Sequence, residues 1–340
     1  MLWMRNREPF VTAMPPQPPA IGTTVTLAVE TPVGPIGVVG VLVEIGDETW
    51  SVRRRDGSVS VVNAAAITAH RVVPPSRAAR ASIADVEHTA ALGWRALEAE
   101  PLGDWLLRAS GGFTGRANSA LAIGDPGRPT AAAVDALIDW YAGRGLPPRI
   151  QCVASDAPAG LLDELDARDW SRSPTVHVMT AEIGHVLRAT AAAESAKGTS
   201  PADLEIRLDD APDREWLACY RQDGGALPTV ARDVLTHHPT VVFASIRDGK
   251  RAVAIARAAV DDRWAGLFAV EVAPDARRRG LGRVVSGAAL RWAGRAGARR
   301  TYLQASSDNA AAISLYERLG YVVHHEYLYR EQPSGQRVSG

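Results

Sequence analysis

The densest chemistry in this 340-residue sequence lies between Val272 and Arg283, which reads Val-Ala-Pro-Asp-Ala-Arg-Arg-Arg-Gly-Leu-Gly-Arg. A mostly apolar run over 264–272 precedes it, and an amphipathic run reaching about Arg295 follows. The spacing therefore predicts a strand, a basic glycine turn and a helix. A turn of that kind is an anion site, because the first amides of the helix have no internal partner and the positive end of its dipole points the same way. Gly280 and Gly282, on either side of Leu281, let the backbone approach a pyrophosphate with no Cβ between. Arg277, Arg278, Arg279 and Arg283 attract a polyanion over longer range. The pattern is neither the Gly-x-Gly-x-x-Gly of a dinucleotide fold nor the Gly-Lys-Ser/Thr of a P-loop. Further on, after another apolar run at 300–305, comes Asn309-Ala-Ala-Ala-Ile-Ser-Leu-Tyr316-Glu-Arg-Leu-Gly320-Tyr321.

Taken together, these two segments resemble the GNAT acetyltransferase superfamily. Arg277, Gly280 and Gly282 match its Gln/Arg-x-x-Gly-x-Gly/Ala motif, and residues 309–321 match its Asn-x-x-Ala-x-x-Leu-Tyr-x-x-x-Gly-Phe/Tyr segment. The resemblance implies two parallel strands, 264–272 and 300–305, that splay apart to admit the pantetheine arm of acetyl-CoA. The backbone of Val270 and Val272 would bond that arm almost as an added strand. The amides of 278–283 would hold the pyrophosphate, and Asn309 would contact the arm. Tyr316 would protonate the departing thiolate. The activity implied is transfer of the acetyl group of acetyl-CoA to a primary amine, on a small molecule or on a protein lysine, histone-type lysines included. The alternative is an acyl-CoA-sensing protein without turnover; a thiol acid such as Tyr316 has no use there.

The general base stays open among Glu271, Asp261 and Asp262, while His237 and His238, ahead of the next strand, are candidates to border the acceptor site. Glu271 ends the strand beside the expected wedge, where a bulge is expected to decide which face it takes. For the acceptor, the candidates are Arg116 and Asn118. They lie in a Gly-rich stretch, 105–119, that is similar to one in tandem-lobe GNAT proteins. Either they recognise a carboxylate or amide of the acceptor, or they cap the turn that carries them.

The elements that position these residues occur twice. Residues 133–140 and 285–292 are helix ends carrying a tryptophan, each followed five residues later by a glycine, Gly145 and Gly297. A strand and a second helix follow in each copy, and the Trp140–Trp170 and Trp292–Tyr321 intervals differ by one residue. Two copies of one α/β lobe account for this. The first copy is degenerate: Pro129 removes an N–H where donors are needed, and Leu165 stands where the second copy has Tyr316.

The expected fold is thus α/β (α+β): a C-terminal GNAT lobe with a mixed splayed sheet, a degenerate GNAT-like lobe before it, and a small SH3-like β-barrel. The boundaries read as a disordered tail over 1–19, the barrel over 20–75, the degenerate lobe over 80–185, a linker over 186–202 and the catalytic lobe over 203–332. Within the barrel, Asp56-Gly57 reads as a hairpin turn. Residues 78–100 read as one Ala-rich helix. Barrel and two lobes together resemble an actinobacterial GNAT subgroup.

Composition excludes other classes. Hydrophobic residues at 46% and charged residues at 22% are those of a folded chain rather than a disordered one. The formal net charge of zero and sparse aromatic interleaving argue against a nucleic-acid partner. No apolar run reaches the roughly 20 residues that span a bilayer, and the N-terminus lacks an apolar signal core, so a cytoplasmic protein without a membrane partner is expected. Cys152 and Cys219 read as small core residues, and no metal site is expected. Nothing in the sequence decides whether the chain forms a homodimer.

Overall fold

The structure, a computed structural model, describes residues 18–32, 34–54, 58–72, 81–197, 205–220 and 226–333. Most of the expected N-terminal tail, the Asp56-Gly57 turn and residues 198–202 of the expected linker lie outside them. The chain forms two compact units, Met1–Ser76 and Arg77–Gly340.

In the first unit, strands β1 (Thr24–Val29), β2 (Ile36–Ile45), β3 (Thr49–Arg53), β4 (Val59–Asn63) and β5 (Ile67–Val72) form one antiparallel sheet in the order β4-β3-β2-β1-β5. Val25, Leu27 and Val29 alternate into a core with Val38, Leu42, Trp50 and Val52. The expected barrel is corrected here: the sheet is open. Between β4 and β5 the chain makes a single 3-10 turn at Ala64–Ala66, and among the described residues no ladder pairs the two edge strands.

The second unit runs α1 (Ile83–Gly93), β6 (Glu98–Leu102), β7 (Trp105–Ala109), β8 (Ala120–Leu121), α2 (Thr130–Ala142), β9 (Arg149–Cys152), α3 (Leu161–Ala167), β10 (Ser171–Arg172) and β11 (Val176–Glu182). It continues with α4 (Ile183–Lys197), β12 (Glu205–Asp209), α5 (Arg214–Tyr220), α6 (Ala231–Thr236), β13 (Val241–Asp248), β14 (Arg251–Asp261) and β15 (Trp264–Val272). The last elements are α7 (Leu281–Arg295), β16 (Arg300–Ser306), α8 (Ala310–Leu319) and β17 (Val322–Glu331).

The repeat is visible as β8-α2-β9-α3-β11 and β15-α7-β16-α8-β17, with β8 parallel to β9 and β15 parallel to β16. Both first helices end alike. The amides of Leu146 and Ala298 reach back to the carbonyls of Tyr141 and Ala293, across Gly145 and Gly297 in the left-handed region.

The two copies do not form separate sheets. β11 leaves the first copy to lie between β16 and β17, and β17 leaves the second to lie between β11 and β9. This reciprocal exchange makes one mixed sheet, β12-β13-β14-β15-β16-β11-β17-β9-β8-β7-β6, with β10 on β17. Residues 80–185 and 203–332 thus share one sheet, in which each stretch covers backbone edges of the other.

Two further expectations change. Most of the expected linker is helical: α4 covers 183–197 and packs on α7, where Gly287 gives Thr190 room. The helix expected over 78–100 stops at Gly93. It opens with a capping box, Ser82 Oγ accepting from Asp85 N–H and the Asp85 carboxylate accepting from Ser82 N–H. It closes where the Tyr302 hydroxyl donates to Thr89 O and Arg257 donates to Gly93 O. A Cβ on Gly93 would sit 2.0 Å from that hydroxyl, so only glycine admits it.

Candidate active site

The basic turn forms as its sequence suggests. β15 ends at Val272, a 3-10 turn covers Pro274–Ala276, and α7 opens at Leu281. Arg278 (φ 66°) and Gly280 (φ 81°) are both left-handed, which turns the chain sharply into the helix. Gly280 is the N-cap and supplies no side-chain acceptor, so the amides of Leu281 and Gly282 keep their donors available. Leu281 anchors the turn in the core, whereas Arg277, Arg278 and Arg279 are exposed. Arg277 Nε donates to Val272 O at 3.2 Å. Arg283 is half-buried, and its Nε is a buried donor without a partner. Gly282 faces Val272 of β15 and Leu315 of α8, with room for little more than a Cβ.

The splay is also present. β15 and β16 pair only over Trp264–Gly266 and Arg300–Tyr302, and beyond that point β15 has no β16 partner. Ala273 donates to Val253 O on β14, so by alternation the amides and carbonyls of Val270 and Val272 face the wedge. A bulge at Ala269 (φ 50°) shifts the β14–β15 register. After it, Val270 and Val272 pack on the α7 side, which turns Glu271 to the other face. Glu271 is half-buried there.

Tyr316 lies on α8, 6% exposed, with its ring edge-on to Tyr321 at 5.5 Å. Burial holds its hydroxyl well above the ordinary phenol range; Ser286 nearby moderates the rise and the Glu271 charge adds to it. Ser286 Oγ itself is buried and makes no hydrogen bond of good geometry. Asn309 proves to be the N-cap of α8, accepting from Ala312 N–H at 3.1 Å, and is exposed. Thus the turn, the backbone of 270–272, Glu271 and Tyr316 come together at the open end of the wedge.

On the face opposite α7 lies a cavity of about 250 Å³, lined by Ala269 of the bulge, Gln304 and Ser306 of β16, and Trp94, Thr114, Arg116, Tyr327 and Tyr329 from the first lobe and β17. Arg116 reaches it, with its guanidinium over Trp94 and Phe268 at 5.3 and 5.4 Å. Asn118 does not. Buried beneath the turn, it accepts from Ser110 and Gly112 N–H and donates to Thr114 O, so it shapes the loop that carries Arg116.

Sequence reasoning missed Trp94, Thr114, Gln304, Tyr327 and Tyr329, which only the strand exchange brings to one place. It also passed over Arg257, whose signal was a charge inside the apolar run of β14. Arg257 is fully buried and donates to Leu235 O and Gly93 O, so it caps the ends of both α6 and α1. Burial and the nearby Arg116 lower its pKa.

The other base candidates, Asp261 and Asp262, and the two histidines expected near the acceptor lie elsewhere. Asp261 accepts from His238 Nε2 at 2.8 Å and pairs with Arg95 at 3.1 Å, at the closed end of the wedge. His238 Nδ1 accepts from Thr240 N–H, which fixes its tautomer. Asp262 lies at the same closed end. His237 forms the C-cap of α6. Cys152 is buried, which pushes its thiol up to about 12, the state of an inert core residue. Among the described residues no group of three His, Cys, Asp or Glu side chains is placed to hold a metal. No described helix is long and apolar enough to cross a membrane.

Comparison with known proteins agrees with this geometry. A family model described as "Probable histone acetyltransferase Rv0428c C-terminal" matches residues 80–330. The "Probable histone acetyltransferase Rv0428c" of Mycobacterium tuberculosis is 29% identical over 333 residues, covering 92% of this chain and 95% of that protein. An "Uncharacterized N-acetyltransferase YobR" of Bacillus subtilis is 28% identical over 254 residues, 73% of this chain and 98% of that one. Among solved structures, a GCN5-related N-acetyltransferase from Kribbella flavida shares the fold, with TM-score 0.55 and 22% identity over 77% of this chain and 97% of that one. The family match takes in both lobes and every residue of the site, and the chain belongs to this family of GNAT-type N-acetyltransferases, which makes it an acyltransferase.

Proposed function

We propose that the protein transfers the acetyl group of acetyl-CoA to a primary amine, at the open end of the β15–β16 wedge. One observation carries this reading: a basic helix N-terminus, a strand edge without a ladder partner and a buried, protonated phenol converge there. The donor set suits acetyl-CoA. The free amides of Leu281 and Gly282 and the unpartnered Arg283 Nε suit its phosphates, and the backbone of Val270 and Val272 suits its amide-bearing arm. Arg277, Arg278 and Arg279 add attraction from solvent, and Asn309 borders the arm.

Acetyl-CoA supplies an activated thioester carbonyl. The neutral amine nitrogen forms the new C–N bond as the C–S bond breaks, and the amine proton leaves through water or Glu271. Tyr316 returns a proton to the thiolate, leaving an amide and free thiol. Glu271 faces the acceptor side at the bulge, which is where a base is needed, and half-burial keeps it in touch with water.

The test is thiol release from acetyl-CoA by purified protein against a panel of amines, amino acids and lysine peptides, alongside calorimetric binding of acetyl-CoA. Acceptor-dependent release establishes the activity. Binding without release by any acceptor rejects catalysis.

A further inference from the structure

Three of the residues that line the 250 Å³ cavity carry a polar atom without a hydrogen-bond partner. Trp94 Nε1, Thr114 Oγ1 and Gln304 Oε1 are all buried and without a hydrogen-bond partner. Arg116 has no acidic side chain within ion-pair distance among the described residues, and its guanidinium is held in place by two aromatic faces. Each unpaired buried group costs about 1–3 kcal/mol, so this lining suits a polar occupant rather than an apolar one.

Among the described residues that line the cavity, the charged one is Arg116. Arg257, over the same Trp94 and Phe268 rings, has no carboxylate partner either. The surrounding acids are already engaged: Glu87 with His325 and Gln151, Asp261 with His238 and Arg95, and Glu331 with Arg149. Arg116 and Arg257 therefore lie beside the bulge without an ion-pair partner among the described residues, and the one further acid on that side is Glu271, the base. A protonated lysine on a basic tail would be repelled here, whereas an anion would be drawn in.

We propose that this cavity is the acceptor subsite and that it takes a small amine carrying its own carboxylate, an acceptor of the amino-acid class. Arg116 binds the carboxylate through its planar fork, and Trp94 N–H, the Thr114 hydroxyl and the Gln304 carbonyl serve the remaining polar groups. The inference rests on the acetyltransferase reading, since it is Ala269, at the bulge of β15, that joins the cavity to the wedge. The same positive surroundings favour the neutral form of the amine, which is the nucleophilic one. The volume suits a single residue or a compact derivative rather than a folded protein surface.

The experiment compares amino acids with their C-terminal amides, and both with a lysine-rich peptide, as acceptors for thiol release by the full chain. An acid-over-amide preference of about 10- to 100-fold in kcat/KM is expected. In Arg116→Gln the preference should collapse through a higher KM for the acid, with acetyl-CoA affinity unchanged. Arg116→Lys should restore part of it, and circular dichroism of each variant reports folding. Equal use of acid and amide, a preference for the basic peptide, or no release with any carboxylate-bearing amine overturns the proposal. Retained acetyl-CoA binding in those cases leaves the underlying reading standing, and loss of that binding removes both.

Discussion

Replacing Tyr316 by phenylalanine separates its chemistry from its packing. The ring stays in its place against Tyr321, and no well-formed hydrogen bond is lost, since Ser286 makes none of good geometry. Stability should therefore change by less than about 1 kcal/mol. The rate effect is another matter. A phenol whose pKa is raised by burial looks a poor donor to a thiolate, but burial acts on the thiolate as well. Cys152 shows the size of that effect in this same chain, where burial lifts a thiol from 9.0 to about 12. Desolvation raises both groups together, so the proton transfer stays within the range where general acid catalysis operates. That range is worth about 10²- to 10⁴-fold, or about 2.7–5.4 kcal/mol of barrier. We expect Tyr316→Phe to lower kcat by at least about 100-fold at unchanged acetyl-CoA affinity, read by thiol release and calorimetry. The raised pKa also keeps the wild-type phenol protonated through ordinary alkaline assays, so Tyr316 should contribute no falling limb to the pH profile up to about pH 9.5. A variant turning over within about twofold of wild type would refute the assignment.

Other consequences concern the scaffold. Gly93→Ala drives a Cβ against the Tyr302 hydroxyl and should cost about 1–3 kcal/mol in urea unfolding, with Tyr302→Phe recovering part of the loss; no recovery would mean that the clash lies elsewhere. Asp261, held below the usual carboxylate range by His238 and Arg95 against its partial burial, contributes stability above about pH 3.9 that is lost as the pH falls through its lowered folded value. Asp261→Asn should therefore lower Tm at pH 7 and flatten the fall in Tm between about pH 4 and pH 2, and an unchanged slope would contradict the pairing. Residues 81–197 expressed alone should fail to give a cooperative melt, because β11 and β9 both lose β17, and a folded fragment would show the lobes to be independent.

Much of the second lobe was legible in order of sequence. Strands β13, β14 and β15 follow from apolar runs broken at Asp248-Gly249 and Asp261-Asp262, and α7 follows from a helical period after a glycine turn. The turn itself is local physics: a left-handed Gly280 and free helix amides require no distant residue. The repeat was legible too, because each copy carries its own Trp and Gly markers. Asn118 was readable as a turn anchor for the same reason, its partners lying within eight residues.

What the sequence by itself determined was local: the anion-binding turn, the helix carrying Tyr316, and the succession of elements in each copy. These depend on backbone preferences and side-chain periods that act over a few residues. The tertiary structure decided which strand lies beside which. Side-chain alternation tells a strand which face to bury but not which neighbour to choose, so the exchange of β11 and β17 left no mark in either segment. The same holds for the face that Glu271 takes after the bulge expected there, and for the meeting of Arg116, Trp94 and Gln304 around one cavity. Each of these joins residues far apart along the chain, where only the packing of the whole sheet sets the distance.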